Sequence, residues 1–400
     1  MSKPTGTTIF ARGSWAETRR IADILRKETV GGALLLLAAA VALVWANSPW
    51  GGAYETLRDT EVGPAALHLD LSLGTWAADG LLAIFFFVAG MEVKRELVVG
   101  ELSNRRAAAL PFFAAAGGMV VPALVALAVS GGAAADGGAW AIPVATDIAF
   151  ALGVLAIAGS SLPSGVRVLL LSMAVIDDLA AIALIAVLFT ADLSLAWLVG
   201  GVAIAALYWL TFRLRIDRAW LLWPLAIAAW ICIHASGVHA TVAGILLGLL
   251  TPVHTRAGEP ESPSARLEHR LHPISAGFVV PVFALAATGI AVTAVGDAVS
   301  DEVAIGVFAG LLVGKVVGIF GGARAAVALG LGTLPSSVGW RDVFPVAMLG
   351  AIGYTVSLLI ARLAFDDVAA QERSAAAVLV ASTIASAVAV VLLRRRSRAS

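Results

Sequence analysis

The sequence predicts an all-α polytopic membrane protein of twelve transmembrane helices, and three observations carry that prediction. Of 400 residues, 60% are hydrophobic and 14% charged, too apolar a balance for a soluble domain. The apolar residues fall in repeated runs close to the roughly 20 residues that cross a bilayer, and not in the alternating segments of an outer-membrane barrel. The cations are also asymmetric. With twelve spans and both termini cytoplasmic, all 27 lysines and arginines except Arg58, Lys315, Arg362 and Arg373 lie in inner segments. Adding or removing one span scrambles that asymmetry.

Taken in order, residues 1–30 read as a cytoplasmic N-terminal segment in which Ser14 to Val30 forms a short basic amphipathic helix. Residues 31–393 form the transmembrane domain, and 394–400 a basic cytoplasmic tail. The first six predicted spans are Gly31–Ala46, Ala77–Val99, Ala107–Ser130, Ala139–Ala158, Val166–Thr190 and Ser194–Phe212. The second six are Trp220–Ala235, Val238–Pro252, Ile274–Ala294, Val303–Phe320, Val343–Ala364 and Ala375–Leu393. The outer loop over about 47–76 contains the strict alternation Leu67-His-Leu-Asp-Leu-Ser-Leu73, a period-2 strand signal following Gly63-Pro64. It reads either as one arm of a small extramembrane β-hairpin or as a loop lying on the membrane surface. Two strands alone are marginal, so a hairpin over 61–74 is expected to lean on a second subunit.

Spans 3–5 and 10–12 are three-helix units that run in opposite directions. The middle span of each is weakened at depth, by Pro143 in one and by Gly350 and Gly353 in the other. Paired interruptions at corresponding positions point to an inverted-repeat transporter with a midplane site and broken helices 4 and 11. Zero net charge offers no electrostatic case for nucleic acid. The single cysteine, Cys232, excludes an intramolecular disulfide and reads as a small core residue.

Four ionisable residues are predicted at similar depth. Asp177 and Asp178 lie roughly 17–18 Å from the inner end of their helix, Lys315 about 18 Å from the outer end of its own and Asp147 about 12 Å. In a core about 30 Å thick they share the middle third. Each charge at that depth costs several kcal/mol unless it is paired or has a job. Pro143 opens the backbone ahead of Ala145-Thr-Asp147, leaving carbonyls and the Thr146 hydroxyl as hard oxygen ligands of the kind a sodium ion accepts. Asp147 then either joins them as a ligand or neutralises the positive ends of broken helices. Neighbouring helix residues point about 100° apart, so one of Asp177 and Asp178 faces an ion and the other faces Lys315. A cation arriving there competes with protons for the same oxygens, and that exchange needs no cofactor. The alternative for the cluster is a purely structural Asp–Lys tie.

Around it, Asp79 marks the outer end of the second span, and Glu92 and Glu96 lie one turn apart at its inner end. These two read as a solvated helix end, as cation attractors or as pH sensors. His239 reads as a packing residue in an apolar helix, or as a group titrating near neutral pH. Glu268, His269 and His272 cluster in an expected inner loop, where a solvated face or a pH-sensing group is favoured over zinc.

The segments M-E-V-K-R-E-L (91–97), A-T-D-I-A-F-A-L-G (145–153), I-D-D-L (176–179), S-G-V-H-A-T-V-A-G (236–244), L-E-H-R-L-H-P (267–273), G-K-V-V-G-I (314–319) and G-Y-T-V-S (353–357) together resemble the NhaA family of sodium/proton antiporters. The resemblance implies exchange of cytoplasmic sodium or lithium for external protons, two protons per ion, by alternating access. It implies that Asp178 is the principal carrier, with Asp177 beside it and paired with Lys315. Asp147 and Thr146 would sit at the crossing of the broken helices, Asp147 offsetting the helix N-termini and Lys315 the C-termini. Glu92, Glu96, Glu268, His269 and His272 would form a cytoplasmic pH-sensing region. A homodimer joined through the hairpin and a bacterial inner-membrane location follow from the same resemblance, with lipid and the transported ions as the only other partners. One departure is Phe283-Ala-Leu-Ala-Ala-Thr-Gly289, where the family commonly ends Asn-Ala-Gly.

Two rival classes are weaker. An intramembrane aspartyl protease also uses membrane carboxylates, but its G-x-G-D signature is absent from the sequence. A passive cation channel would use charged rings or carbonyl filters rather than single carboxylates beside a lysine.

Overall fold

The computed structural model describes residues 28–65, 69–159, 162–190, 193–335 and 338–397. The amphipathic helix expected over Ser14 to Val30 lies outside them except at its last residues, which open the first membrane helix. Among the described residues eight helices are long and apolar enough to cross a membrane. Two sharply bent pairs bring the number to ten if each is counted as one span, and two shorter apolar helices accompany them. The chain is a multi-pass membrane protein.

Helix α1 (Glu28–Ala46) bends by 115° into the short α2 (Gly51–Asp59). The β-ladder is only two residues per strand: β1 (Glu61–Val62) runs antiparallel to β2 (Leu71–Ser72), with Glu61 opposite Ser72. The predicted strand over Leu67–Leu73 is therefore shorter than its alternation, and Leu67 and His68 lie outside the described residues. Ser72 ends it by capping the next helix, its hydroxyl accepting from Thr75 N at 3.1 Å.

That helix, α3 (Leu73–Val98), widens into a π-helical turn over Trp76–Leu81, which contains Asp79. Helix α4 (Arg105–Val129) follows, then a 3₁₀ segment (Ala133–Val144), α5 (Ile148–Ala158), α6 (Ser164–Leu188), α7 (Leu195–Arg213), α8 (Ala219–Ala235) and α9 (Thr241–Leu250). The last third holds α10 (Pro263–Ala287), the short α11 (Thr293–Ala298), α12 (Glu302–Ala328), α13 (Trp340–Gly350), α14 (Tyr354–Ala364) and α15 (Val368–Ser397). Helices α13 and α14 meet at 42° across a three-residue break.

Lipid tails remove the hydrophobic drive for helix association, so close packing of small residues has to supply it. Gly314, Gly318 and Gly322 recur every four residues on α12 and let it lie backbone to backbone against α4. A Cβ at Gly318 would stand 2.1 Å from the Gly117 carbonyl, and one at Gly322 2.1 Å from that of Phe113. Helix α9 uses Gly244 and Gly248 in the same way against α3. The 3₁₀ segment reverses through Gly137 and Gly138, whose φ values of +60° and +75° are costly for residues with a Cβ.

Several boundaries differ from the sequence reading, three of them in α9 and α10. The loop expected around Leu267–Pro273 is helical, because α10 begins eleven residues before Ile274: Ser262 caps it, accepting from Ala265 N at 3.2 Å, with Pro263 as its first residue. The same helix stops at Ala287 rather than Ala294. The span expected from Val238 starts only at Thr241, which leaves His239 in the preceding turn rather than in an apolar helix.

Candidate ion-binding site

Pro143 ends the 3₁₀ segment, Ala145 to Asp147 continue as extended backbone, and α5 starts at Ile148. The break between α13 and α14 lies beside it. The two interruptions are joined directly, Asp147 N donating to the Ile352 carbonyl at 2.6 Å. Four helix ends thus meet in a region without water-exposed backbone, and each needs a partner.

Asp147 serves both N-termini. One carboxylate oxygen accepts from Phe150 N at 2.9 Å in the first turn of α5, and the other from Thr355 N at 3.0 Å in the first turn of α14. Ser382 of α15 adds a third partner, accepting from Gly353 N at 3.3 Å. Lys315 serves a C-terminus, donating to the Val144 carbonyl at the end of the 3₁₀ segment. Thr146 serves the other, its hydroxyl donating to the Gly350 carbonyl at 2.9 Å. Opposite charges thus sit where the helix dipoles favour them.

Lys315 is fully buried and also donates to Asp177 Oδ2 at 2.7 Å. The Thr146 hydroxyl stands 2.5 Å from that same oxygen. A hydroxyl carries one proton, so Thr146 can donate to Asp177 or to Gly350 but not fully to both. Asp178, 3% exposed, differs from its neighbour: no hydrogen bond reaches its carboxylate from the described residues, and its Oδ1 is buried without a partner. It lies within electrostatic range of Asp177, Asp147, Lys315 and Glu92. Asp177 Oδ1 is likewise unpartnered. Among the described residues no group of three or more His, Cys, Asp or Glu side chains is placed to hold a metal ion.

The other sequence-chosen residues divide between two ends of the molecule. At one end, Asp79 and His239 meet, with His239 Nε2 3.2 Å from Asp79 Oδ1 and Nδ1 2.7 Å from the Thr241 hydroxyl. His239 is as buried as a packing residue; its Nδ1 is hydrogen-bonded to Thr241, while Nε2 approaches Asp79 without hydrogen-bond geometry. His234 lies 4.0 Å from the other Asp79 oxygen and stacks on Trp230. At the other end, Leu271 of α10 packs on Val88 and Met91 of α3. Beside that contact Arg95 grips Glu268 with both carboxylate oxygens, at 2.6 and 2.7 Å. Glu92 and Glu96 lie on the same stretch of α3, and His269 and His272 on α10.

Two side chains of the crossing were missed in the sequence: Ser357, donating to the Ile142 carbonyl at 2.6 Å, and Ser382. Each is a small polar residue inside an apolar helix, which is the only local signal either carries.

Residues 22–393 match the profile of the Na+/H+ antiporter 1 family. The chain is 58% identical over 378 residues to the Na(+)/H(+) antiporter NhaA 1 of Saccharopolyspora erythraea, covering 94% of this chain and 91% of that protein. It is 55% identical to NhaA 2 of Rhodococcus jostii, across 94% and 92% of the two chains. It is 53% identical to NhaA of Nocardia farcinica, across 94% and 90%. With the crossing of two broken helices and its buried aspartates in place, these matches assign the chain to the Na+/H+ antiporter NhaA family.

Proposed function

We propose that this protein is a secondary transporter, not an enzyme, which exchanges cytoplasmic sodium or lithium for external protons by alternating access. The observation that carries the proposal is Asp178: a buried carboxylate that no described residue hydrogen-bonds, beside a crossing whose helix ends have partners. A buried charge without a partner is costly, so the group is stable only when it holds a proton or a cation. Those two states are mutually exclusive on the same oxygens, which is what obligatory exchange requires. The ions are the transported substrates and no cofactor takes part.

In this reading Asp178 is the exchanging group, and Asp177 with Lys315 keeps a compensating charge beside it. Thr146 links the two. Its hydroxyl donates to Asp177 while that carboxylate is ionised and turns to the Gly350 carbonyl when Asp177 takes up a proton, so the protonation state reaches the C-terminal end of α13. Bound sodium is held by a mixed set of oxygens from Asp178, Asp147 and Thr146 with backbone carbonyls, as suits a hard cation. Asp147 contributes mainly as the partner of two helix N-termini.

The eight long spans, the bent pair α13–α14, α1 and the shorter α8 and α9 together make the proposed twelve, with units 3–5 and 10–12 as the inverted repeat. Both termini then face the cytoplasm of a bacterial cell, across its inner membrane. Asp79 and His239 line the outer approach, and Glu92, Glu96, Glu268, His269 and His272 form the inner pH-sensing region. The protein pairs with a second copy through the β1–β2 hairpin.

Proton release on ion binding tests the exchange chemistry directly. Adding sodium or lithium chloride to the detergent-solubilised protein in unbuffered medium is expected to acidify it, while choline chloride does not. Sodium binding without any proton release at neutral to alkaline pH would remove the exchange reading.

A further inference from the structure

Two of the polar contacts between the last helix and the broken helix are placed to brace it. Arg396, in the final turn of α15, places Nε 2.6 Å from Asp342 Oδ1 in the first turn of α13. Fourteen residues earlier, about 21 Å along the same helix, Ser382 accepts from Gly353 N at the break. Asp342 is 3% exposed, and its second oxygen accepts from Gly339 N at 2.8 Å, fixing where α13 begins.

From Asp342 the helix runs to Gly350, about 12 Å away, where its terminal carbonyl receives the Thr146 hydroxyl. Between Asp342 and Gly350 only Pro345, near the start of α13, lacks an N–H to donate, and the hydrogen bonds of the remaining turns keep the helix stiff along its axis. A shift at Asp342 therefore arrives at Gly350 rather than being absorbed between them. Each charge of the pair would be favoured at its own helix end without the other, an acid at an N-terminus and a base at a C-terminus. What the pair adds is the relative axial position of the two helices.

We propose that Arg396 is a positioning residue for ion binding: through Asp342 it sets the axial position of α13, and hence of the Gly350 carbonyl and the Thr146 hydroxyl beside Asp177. The proposal rests on the reading that the protein exchanges sodium for protons. It gives the start of the basic tail a role in the transport site roughly one bilayer leaflet away.

The test uses the full-length protein in proteoliposomes, comparing wild type with Arg396→Gln, Arg396→Lys and Asp342→Asn. The amide introduced by Asp342→Asn retains an oxygen to accept from Gly339 N, so α13 keeps its cap. Arg396→Gln and Asp342→Asn are expected to raise the apparent KM for sodium about three- to five-fold, the range of a partly exposed ion pair, with the rate at saturating sodium unchanged. Arg396→Lys restores part of the shift, and the double variant shows less than the sum of the two single shifts because both changes remove the Asp342–Arg396 pair. In parallel, hydrogen exchange at the amides of Ala351 and Gly353 is expected to quicken in Arg396→Gln. Wild-type exchange with an unchanged KM in Arg396→Gln, or unchanged exchange protection at the break, would overturn the proposal. A purely structural tie would lower the yield of folded protein without moving KM. Wild-type vesicles inert to sodium would instead count against the transport reading, with the amide measurement still deciding whether the brace exists.

Discussion

Asp178→Asn is expected to abolish sodium-driven proton movement while leaving the protein folded. The carboxylate receives no hydrogen bond from the described residues, and its Oδ1 is buried without a partner, so the amide disrupts no structural contact. The replacement has nearly the same volume and is neutral, which spares the cost of an unpaired buried charge. What it removes is the carboxylate proposed to alternate between proton and cation. Asp177→Asn differs in kind: it leaves the Lys315 ammonium facing an amide, and breaking one side of a buried pair costs about 3–5 kcal/mol. Fluorescence quenching in inverted vesicles reads the transport, and thermal unfolding in detergent reads the fold. Asp178→Asn retaining half of the wild-type exchange rate would sink its assignment as carrier.

The second large effect is structural. Asp147→Ala strips the partner from Phe150 N and Thr355 N together, at the starts of two helices that meet in the interior. An unsatisfied buried N–H costs about 1–3 kcal/mol, so two cost about 2–6 kcal/mol by the same measure. Against a total stability of about 5–15 kcal/mol, that is a large fraction, and a marked fall in melting temperature is expected. Asp147→Asn keeps one accepting oxygen and is expected to fall between wild type and alanine in melting temperature. An alanine variant that melts with the wild type would show that the two helix ends do not depend on this side chain.

The sequence carried the site further than it carried the boundaries, for physical reasons. Charges inside apolar runs are rare because they are expensive, so Asp147, Asp177, Asp178 and Lys315 stood out without any structure. Pro143 likewise placed the first break within a few residues. Service to the broken-helix N-termini was one of two readings open for Asp147, but its second donor, Thr355, 208 residues away in sequence, could not be named. Ser382 and Ser357 carry no unusual cost on an apolar helix, where a serine can bond to its own backbone. They acquire meaning only from the helix end placed beside them.

The boundary errors share a different origin. Leu267–Pro273 reads as a polar loop because the amphipathic start of α10 lies outside the apolar run, although Ser262-Pro263 is a helix-start signal of known type. His239 was assigned to a helix because hydropathy does not register a turn, and its contact with Asp79 joins two segments 160 residues apart. The alternation at Leu67–Leu73 is likewise a local pattern, and the ladder beside it extends over two residue pairs.

The central claim, that protons and sodium exchange through the buried aspartates, is tested most directly with purified protein in proteoliposomes carrying an imposed pH gradient. Addition of sodium or lithium outside the vesicles is expected to collapse the gradient within the mixing-limited response, and choline is expected to leave it intact. A gradient that survives saturating sodium and lithium, in vesicles shown to contain folded protein, would contradict the account.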